Sequence, residues 1–164
     1  MKLHHDTFPT QVGDFSVAFA ADGTIHATAF GGQRALQSRL TRGHELASAR
    51  AMPAIRKAVA AYFRDGNAKL AVKLEPQGSA FQQKVWAELL HIPSGKTCTY
   101  GDIARRLGSS PRAVGRANAT NPICLFIPCH RVIGADGTLT GYAFGESIKQ
   151  RLLKHEGALG PALA

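Results

Sequence analysis

Apolar and polar positions alternate through Phe15, Val17 and Phe19, with Ser16, Ala18 and Ala20 between them. A period of two residues predicts a strand with one face on a core. Ala21-Asp22-Gly23 carries turn chemistry, and Ile25 to Phe30 returns as a second strand that Gly31-Gly32 breaks. From Pro53 the period lengthens. Ile55, Val59, Tyr62 and Phe63 fall on one side of a helix, with Pro53 in its first turn and Gly66 at its end. Leu70, Val72 and Leu74 alternate again, which predicts a further strand before the linker Glu75-Pro76-Gln77-Gly78. Strands, a helix and a strand in this order form a small α/β domain over residues 1–77. No catalytic constellation is legible in it.

The remainder, residues 78–164, reads mainly as helices. Ser79 with Gln82 makes a capping box ahead of Phe81, Val85, Trp86, Leu89 and Leu90, a stripe expected in the core. Thr99 caps a second short helix with Asp102 near its positive end, Ile103, Ala104 and Leu107 inside, and Gly108 as its stop. Ser109-Ser110-Pro111 opens a third helix running to Ala119. Two short helices across a tight turn outline a helix-turn-helix. The third helix is unusual. Ala113, Gly115, Ala117 and Ala119 are small, while Arg112 and Arg116 are long and cationic. Such a face either admits close backbone approach to a narrow groove or packs tightly on the core. A last amphipathic helix places Ile148, Leu152 and Leu153 inward and ends at Glu156.

Composition narrows the function classes. At 164 residues, 45% hydrophobic and 19% charged, the chain can bury a core and is not disordered. Its longest apolar runs are too short for a membrane span, and Met1-Lys2-Leu3-His4-His5-Asp6 lacks the apolar core of a signal peptide. Three cysteines, Cys98, Cys124 and Cys129, make no disulfide framework, and a reducing cytoplasm fits them. The net charge of +9 favours a polyanion as partner. Between Asp102 and Asp136 no acid interrupts Arg105, Arg106, Arg112, Arg116 and Arg131, an electrostatic footprint unless it is merely a solvated face.

The apolar run Ile123-Cys124-Leu125-Phe126-Ile127 leads to Pro128-Cys129-His130. A thiol needs a base before it is a nucleophile, His is the usual one at neutral pH, and the base needs an orienting acid. Cys129, His130 and Glu156 can supply the three roles. Adjacency alone does not make a catalytic pair, and a buried structural cysteine is the competing reading.

Ile127-Pro128-Cys129-His130-Arg131-Val132-Ile133-Gly134 resembles the acceptor-cysteine signature of the methylated-DNA–protein-cysteine methyltransferases, the O6-alkylguanine-DNA alkyltransferases. Tyr100 in Thr99-Tyr100-Gly101-Asp102, Arg112-Ala113-Val114-Gly115, Asn121-Pro122, Gly141-Tyr142-Ala143 and Leu152-Leu153-Lys154-His155-Glu156 extend the similarity over about residues 79–157. The resemblance implies a ribonuclease H-like N-terminal domain and a winged-helix-like domain carrying DNA binding and chemistry. It implies transfer of an alkyl group from O6-alkylguanine, and from O4-alkylthymine, in duplex DNA to Cys129. His130 takes the thiol proton, Glu156 steadies the imidazolium, Tyr100 donates a proton to the leaving base, and Asn121 holds the hinge. DNA contacts fall to Ser110, Arg112, Ala113, Gly115 and Arg116 with Tyr100 and Gly101, Arg112 filling the gap of an extruded nucleotide. Val132, Tyr142, Ala143 and Phe144 line the base pocket.

The same resemblance implies a monomer, several of which can share one DNA, consumed one molecule per lesion and needing no nucleotide, metal or organic cofactor. Some relatives hold zinc with Cys and His in the N-terminal half. Here the first cysteine is Cys98, and His4, His5, His26 and His44 offer no evident ligand set, so no zinc is expected. A fusion to a metal-binding phosphotriester-repair module is not expected either, given the length and cysteine count. The rivals are a non-catalytic lesion binder, a redox-regulated DNA-binding protein and a cysteine hydrolase. The acceptor cysteine with its His and Glu argues against the first, and no oxyanion-hole signature supports the last. Cys124 is read as a core residue rather than a second acceptor.

Phe144 stands where many relatives carry glycine. A ring there narrows the alkyl pocket, so methyl adducts react well and a free base bearing a benzyl group reacts poorly. Phe144→Gly is expected to speed the benzyl reaction in a single-turnover assay; an unchanged rate would remove the ring from the pocket.

Overall fold

The computed structural model describes residues 1–139 and 141–159. Contacts divide the chain into two compact units. One comprises Met1–Gln77 and the short segment Pro122–Phe126, the other Gly78–Asn121 and Ile127–Ala164, whose final residues lie outside those described. The architecture is mixed α/β.

In the first unit, strands β1 (Lys2–Thr10), β2 (Gly13–Phe19), β3 (Ile25–Phe30) and β4 (Glu45–Ala49) form a sheet in the order β3-β2-β1-β4. The two hairpin pairings are antiparallel, and β4 runs parallel to β1. Helices α1 (Gln33–Gln37) and α2 (Pro53–Arg64) pack on it, α2 through the expected Ile55, Val59, Tyr62 and Phe63. The β2 alternation predicted one buried face, but Ser16 and Ala18 are buried as well. Leu70 to Leu74 is not a strand. It makes one bridge, Leu74 to Ile25, and Val72 N–H turns back to the Leu70 carbonyl, so the alternation lacks a partner ladder.

Strand β1 escaped the pattern because an inward position carries Asp6 and a bulge interrupts the register at Leu3/His4. Asp6 is 6% exposed and accepts two bonds from Arg56, at 2.7 and 2.6 Å, and one from the Met52 N–H at 2.9 Å. It therefore ties β1 to the first turn of α2. Pro122–Phe126 lies along β3. The Thr28 N–H donates to the Pro122 carbonyl at 2.9 Å, and the Thr28 hydroxyl donates to the Cys124 carbonyl at 2.8 Å. Cys124 is 1% exposed, a core residue as its surroundings predicted.

The second unit contains α3 (Ala80–Leu89), the two-residue strand β5 (Cys98–Thr99), α4 (Tyr100–Leu107), α5 (Pro111–Ala119), a 3-10 turn (Cys129–Arg131), the short strand β6 (Val132–Ile133) and α6 (Glu146–His155). Both capping boxes form, Ser79 with Gln82 and Thr99 with Asp102, and Ser110 caps α5 through the Ala113 N–H. Gly108 ends α4 in the left-handed region, which only glycine adopts freely. On α3, Val85, Trp86 and Leu89 are buried and Phe81 half-buried. Leu90 is 53% exposed, because it is the residue after the helix and no longer follows its stripe. Strands β5 and β6 pair in parallel, Thr99 opposite Ile133, which brings the start of α4 beside the chain leaving the 3-10 turn.

The Arg56 bond holds the Asp6 carboxyl below its ordinary value of 3.8. A carboxyl lowered by folding contributes stability above the unfolded value and loses it as pH falls through the folded one. Asp6→Asn is expected to cost about 1–3 kcal/mol at neutral pH. In urea unfolding, the gap from wild type should close as pH drops below 3.8.

Candidate active site

Cys129 opens the 3-10 turn at 5% exposure. The approach to it is built from two tight reversals. Leu125 has φ +72°, and the Phe126 N–H donates to the Cys124 carbonyl across it. Pro128, at φ −78° and ψ 66°, lets the Cys129 N–H donate to the Ile127 carbonyl at 2.7 Å, an inverse γ-turn whose φ the ring presets. Asn121 donates from Nδ2 to the Ile127 carbonyl at 2.8 Å and so joins the two ends of the excursion over residues 122–126. Asn118, 2% exposed on α5, donates from Nδ2 to the Cys129 carbonyl itself at 3.2 Å.

His130 is fully buried, and its Nε2 lies 2.9 Å from Glu156 Oε2. With the carboxylate accepting there, the Nε2–H tautomer is set and Nδ1 is left as the basic nitrogen. Nδ1 is buried and has no hydrogen-bond partner among the described residues. Burial pushes the His130 imidazole below its ordinary range, outweighing the opposing pull of Glu156. The His130–Glu156 contact that the sequence reading required is therefore present, and burial favours the neutral ring.

Tyr100 and Lys149 both lie close enough to Cys129 for a thiolate there to act on them. Burial raises the Tyr100 phenol and a thiolate at Cys129 raises it further, while a hydrogen bond with Asn118 acts the other way. A phenol so placed stays protonated and can donate. The Lys149 ammonium is lowered to about 8, chiefly by burial. It donates to the Val132 carbonyl at 2.5 Å and lies 5.9 Å from the Tyr100 ring centre. Gly141, at φ +82°, passes so close to Tyr100 that a Cβ there would sit 3.1 Å from the phenol oxygen. Tyr142 and Phe144 follow with rings 5.6 Å apart, Tyr142 buried, Phe144 half-buried and Ala143 exposed. The Cys129 carbonyl accepts from both Asn118 Nδ2 and the Val132 N–H, and the Val132 carbonyl accepts from Lys149.

On α5, Ser110, Arg112 and Arg116 are exposed, and Ala113 and Gly115 are half-buried. A Cβ on Gly115 would meet nothing nearer than Tyr100 at 3.9 Å, ordinary contact. Gly101 likewise has 3.5 Å of room. Internal packing does not demand glycine rather than alanine at either position. The arginine footprint resolves unevenly. Arg105 pairs with Asp102, Arg106 with Glu88 at 3.2 Å, and Arg131 with Glu156 at 2.8 Å. Arg112 and Arg116 have no ion pair among the described residues and remain for an external anion. Arg131 belongs to the interior, against its reading as footprint.

Three residues escaped the sequence reading. Arg131 was counted only as charge. Lys149 was passed over for Ile148, which is half-buried, whereas Lys149 is fully buried. The stripe Lys149, Leu152, Leu153, Glu156 at i, i+3, i+4, i+7 is the signal that would have found it. Asn118 left no signal beyond a polar residue between two alanines. Among the described residues no cluster of three or more His, Cys, Asp or Glu could hold a metal ion, and no helix is long and apolar enough to cross a membrane. A concavity of about 550 Å³ between β1 and α2 is lined by Phe8, Val59 and Phe63 and contains no nucleophile or base.

Residues 80–158 match the family model described as 6-O-methylguanine DNA methyltransferase, DNA binding domain. A methylated-DNA–protein-cysteine methyltransferase of Methanosarcina acetivorans is 54% identical over 100 residues, 60% of this chain and 64% of that protein. One of Mycobacterium bovis is 49% identical over 104 residues, 62% of this chain and 63% of its own length. The chain thus spans just under two thirds of these curated relatives. The structure of Mycobacterium tuberculosis OGT in complex with DNA superposes with a TM-score of 0.80 at 35% identity, covering 98% of this chain and 96% of that one. The O6-methylguanine-DNA methyltransferase of Pyrococcus kodakaraensis superposes at 0.71 and 28% identity, covering 94% and 99%.

Proposed function

This chain belongs to the methylated-DNA–protein-cysteine methyltransferase family, and we propose from that premise that it repairs DNA by moving an alkyl group from guanine O6 onto Cys129. The observation that carries the reading is the buried His130–Glu156 bond beside Cys129, with Nδ1 left basic. The Cys129 thiol gives its proton to His130 through a water. The thiolate sulfur attacks the alkyl carbon, the carbon–O6 bond breaks, and the departing guanine takes a proton from Tyr100, which regains one from the His130 imidazolium through solvent. In net, one alkyl group passes from oxygen to sulfur and one proton from thiol to base. A thioether is stable to every group in the site, so each molecule acts once. O4-alkylthymine presents the same ether carbon and is a second substrate. No cofactor enters the balance.

The alkyl carbon is out of reach of a buried thiol while the base is stacked, so the nucleotide must leave the duplex. We read α4 and α5 as a helix-turn-helix that meets the minor groove. Room at Gly101 and Gly115 that packing does not require, with the unpaired Arg112 and Arg116 and the Ser110 cap, supports this. Ala113 and Gly115 let the helix backbone enter the groove, and Arg112 fills the vacated stack. Val132, Tyr142, Ala143 and Phe144 enclose the base, and Asn121 keeps the acceptor loop closed. On this reading the first unit is ribonuclease H-like and structural, the second winged-helix-like and catalytic, and the protein works as a cytoplasmic monomer, several able to share one DNA.

Mixed with a duplex holding one O6-methylguanine, the protein should gain a single methyl on the Cys129 peptide by mass spectrometry, stoichiometrically, and none in Cys129→Ser. Binding without a mass change would favour a lesion-binding or redox-regulated protein instead. Arg112→Ala should slow repair of the duplex about tenfold or more while sparing reaction with free O6-benzylguanine. Equal losses on both would refute the extrusion role.

A further inference from the structure

The chemistry above gives Arg131 no task, yet the second unit spends four hydrogen bonds around it. Arg131 Nε donates to Glu156 Oε1 at 2.8 Å and Nη2 to Oε2 at 2.9 Å, a fork that engages both carboxylate oxygens. Nη1 donates to the Ile92 carbonyl at 2.6 Å, which holds the guanidinium plane from behind. Oε2 is also the oxygen that His130 Nε2 uses, at 2.9 Å. The Glu156 side chain is fully buried, and that of Arg131 is 12% exposed. One carboxylate oxygen thus serves a permanent cation and a titratable ring.

A buried carboxylate facing imidazole alone would draw a proton onto the ring, and an imidazolium cannot then accept the proton of a thiol. A guanidinium on the same carboxylate neutralises it and removes that pull. The charged and titratable groups around His130 come from its own turn and from the elements packed on it. From its own turn come Cys129 and Arg131, and from α6 and its end come Lys149 and Glu156. Helix α3, also packed on the turn, directs its Glu88 to Arg106. Burial, Arg131 and Lys149 all disfavour the imidazolium, and Glu156 favours it.

We propose that Arg131 is a positioning residue for alkyl transfer: its fork lets Glu156 orient the His130 ring through Nε2 without protonating it, which keeps Nδ1 a base for the Cys129 thiol. The inference rests on the alkyl-transfer reading of the site. A mere brace for the turn would support activity equally at every pH. A charge-neutralising clamp acts through the protonation of His130 and so shapes the pH profile.

The test compares wild type, Arg131→Met and Arg131→Lys by NMR titration of the His130 ring nitrogens in the free protein and by single-turnover methyl transfer across the pH range. In Arg131→Met the His130 midpoint should move upward. Transfer should fall about tenfold or more on the acid side and converge with wild type on the alkaline side. Arg131→Lys, which reaches one oxygen with the same charge, should fall between. In a Glu156→Gln background, Arg131→Met should add little, because the clamp has lost its object. A uniform loss at all pH values with an unmoved His130 midpoint would overturn the proposal. If Arg131→Met does not fold, the Arg131→Lys titration decides, an unmoved midpoint again counting against it. If wild type transfers no methyl, the alkyl-transfer reading fails, and the titration of the free protein still decides whether Arg131 controls the protonation of His130.

Discussion

Glu156 is a carboxylate without access to water, and the second unit is arranged around keeping it charged. An isolated buried carboxylate is costly enough to protonate or to unfold its surroundings. Here its oxygens accept from Arg131 twice and face His130 once. Those three contacts pin the last turn of α6 against the 3-10 turn that carries Cys129, so the position of Cys129 depends on satisfying a charge nearly thirty residues later in the chain. Lys149 enters by the same route. One helical stripe brings it and Glu156 inside together, one to the Val132 carbonyl and the other to the cationic end of the cluster. Buried ion pairs add little stability relative to apolar packing, but removal of one partner is severe. The cluster is better understood as fixing geometry than as strengthening the fold.

The turn that carries Cys129 is held by side-chain hydrogen bonds to its carbonyls as well as by packing. Asn121 spans to the Ile127 carbonyl and Asn118 to the Cys129 carbonyl, while Pro128 presets the turn between them. Leu125 accepts a left-handed φ that a branched side chain disfavours, at a position where Thr28 binds the neighbouring carbonyl. A strained residue persists only where its surroundings over-determine it. The segment Pro122–Phe126 belongs by its contacts to the first unit, and its covalent continuation is the acceptor turn.

Legibility in the sequence tracked how local the determining interaction was. The capping box at Ser79, the Thr99 cap and the Gly108 stop are decided within four residues and were readable, while the Asp102 half of the Thr99 box and the choice of Ser110 as cap emerged only in the structure. The α2 stripe was readable for the same reason. Strand β1 was not, since Asp6 sits inward only because Arg56, fifty residues away, receives it. Leu70 to Leu74 has the alternation of a strand but only a single bridge, and partnering is a tertiary property. The candidate triad was named from residue types and resemblance, while the roles of Arg131, Lys149 and Asn118 depend on which groups meet in space. Charge counting placed Arg131 on the surface because a count cannot see that its counter-ion lies beyond the acid-free stretch.

Helix α5 joins the two halves of the proposed activity. Its inward positions Val114, Ala117 and Asn118 follow helical spacing, and the last two are committed to the site's framework. The Ala117 carbonyl accepts the indole N–H of Trp86 at 2.8 Å, and Asn118 holds the acceptor carbonyl. Its outward positions carry Arg112, Arg116 and the small Ala113 and Gly115. In the proposed complex, DNA and Asn118 would lie on opposite faces of one nine-residue helix. On that reading the small residues have a second consequence. Close approach of the groove to the helix backbone brings the extruded base toward Cys129 without requiring the acceptor loop to move. A Cβ at Gly115 would be tolerated by the protein's own packing, and on the proposed reading its cost would fall on the distance between the lesion and the thiol.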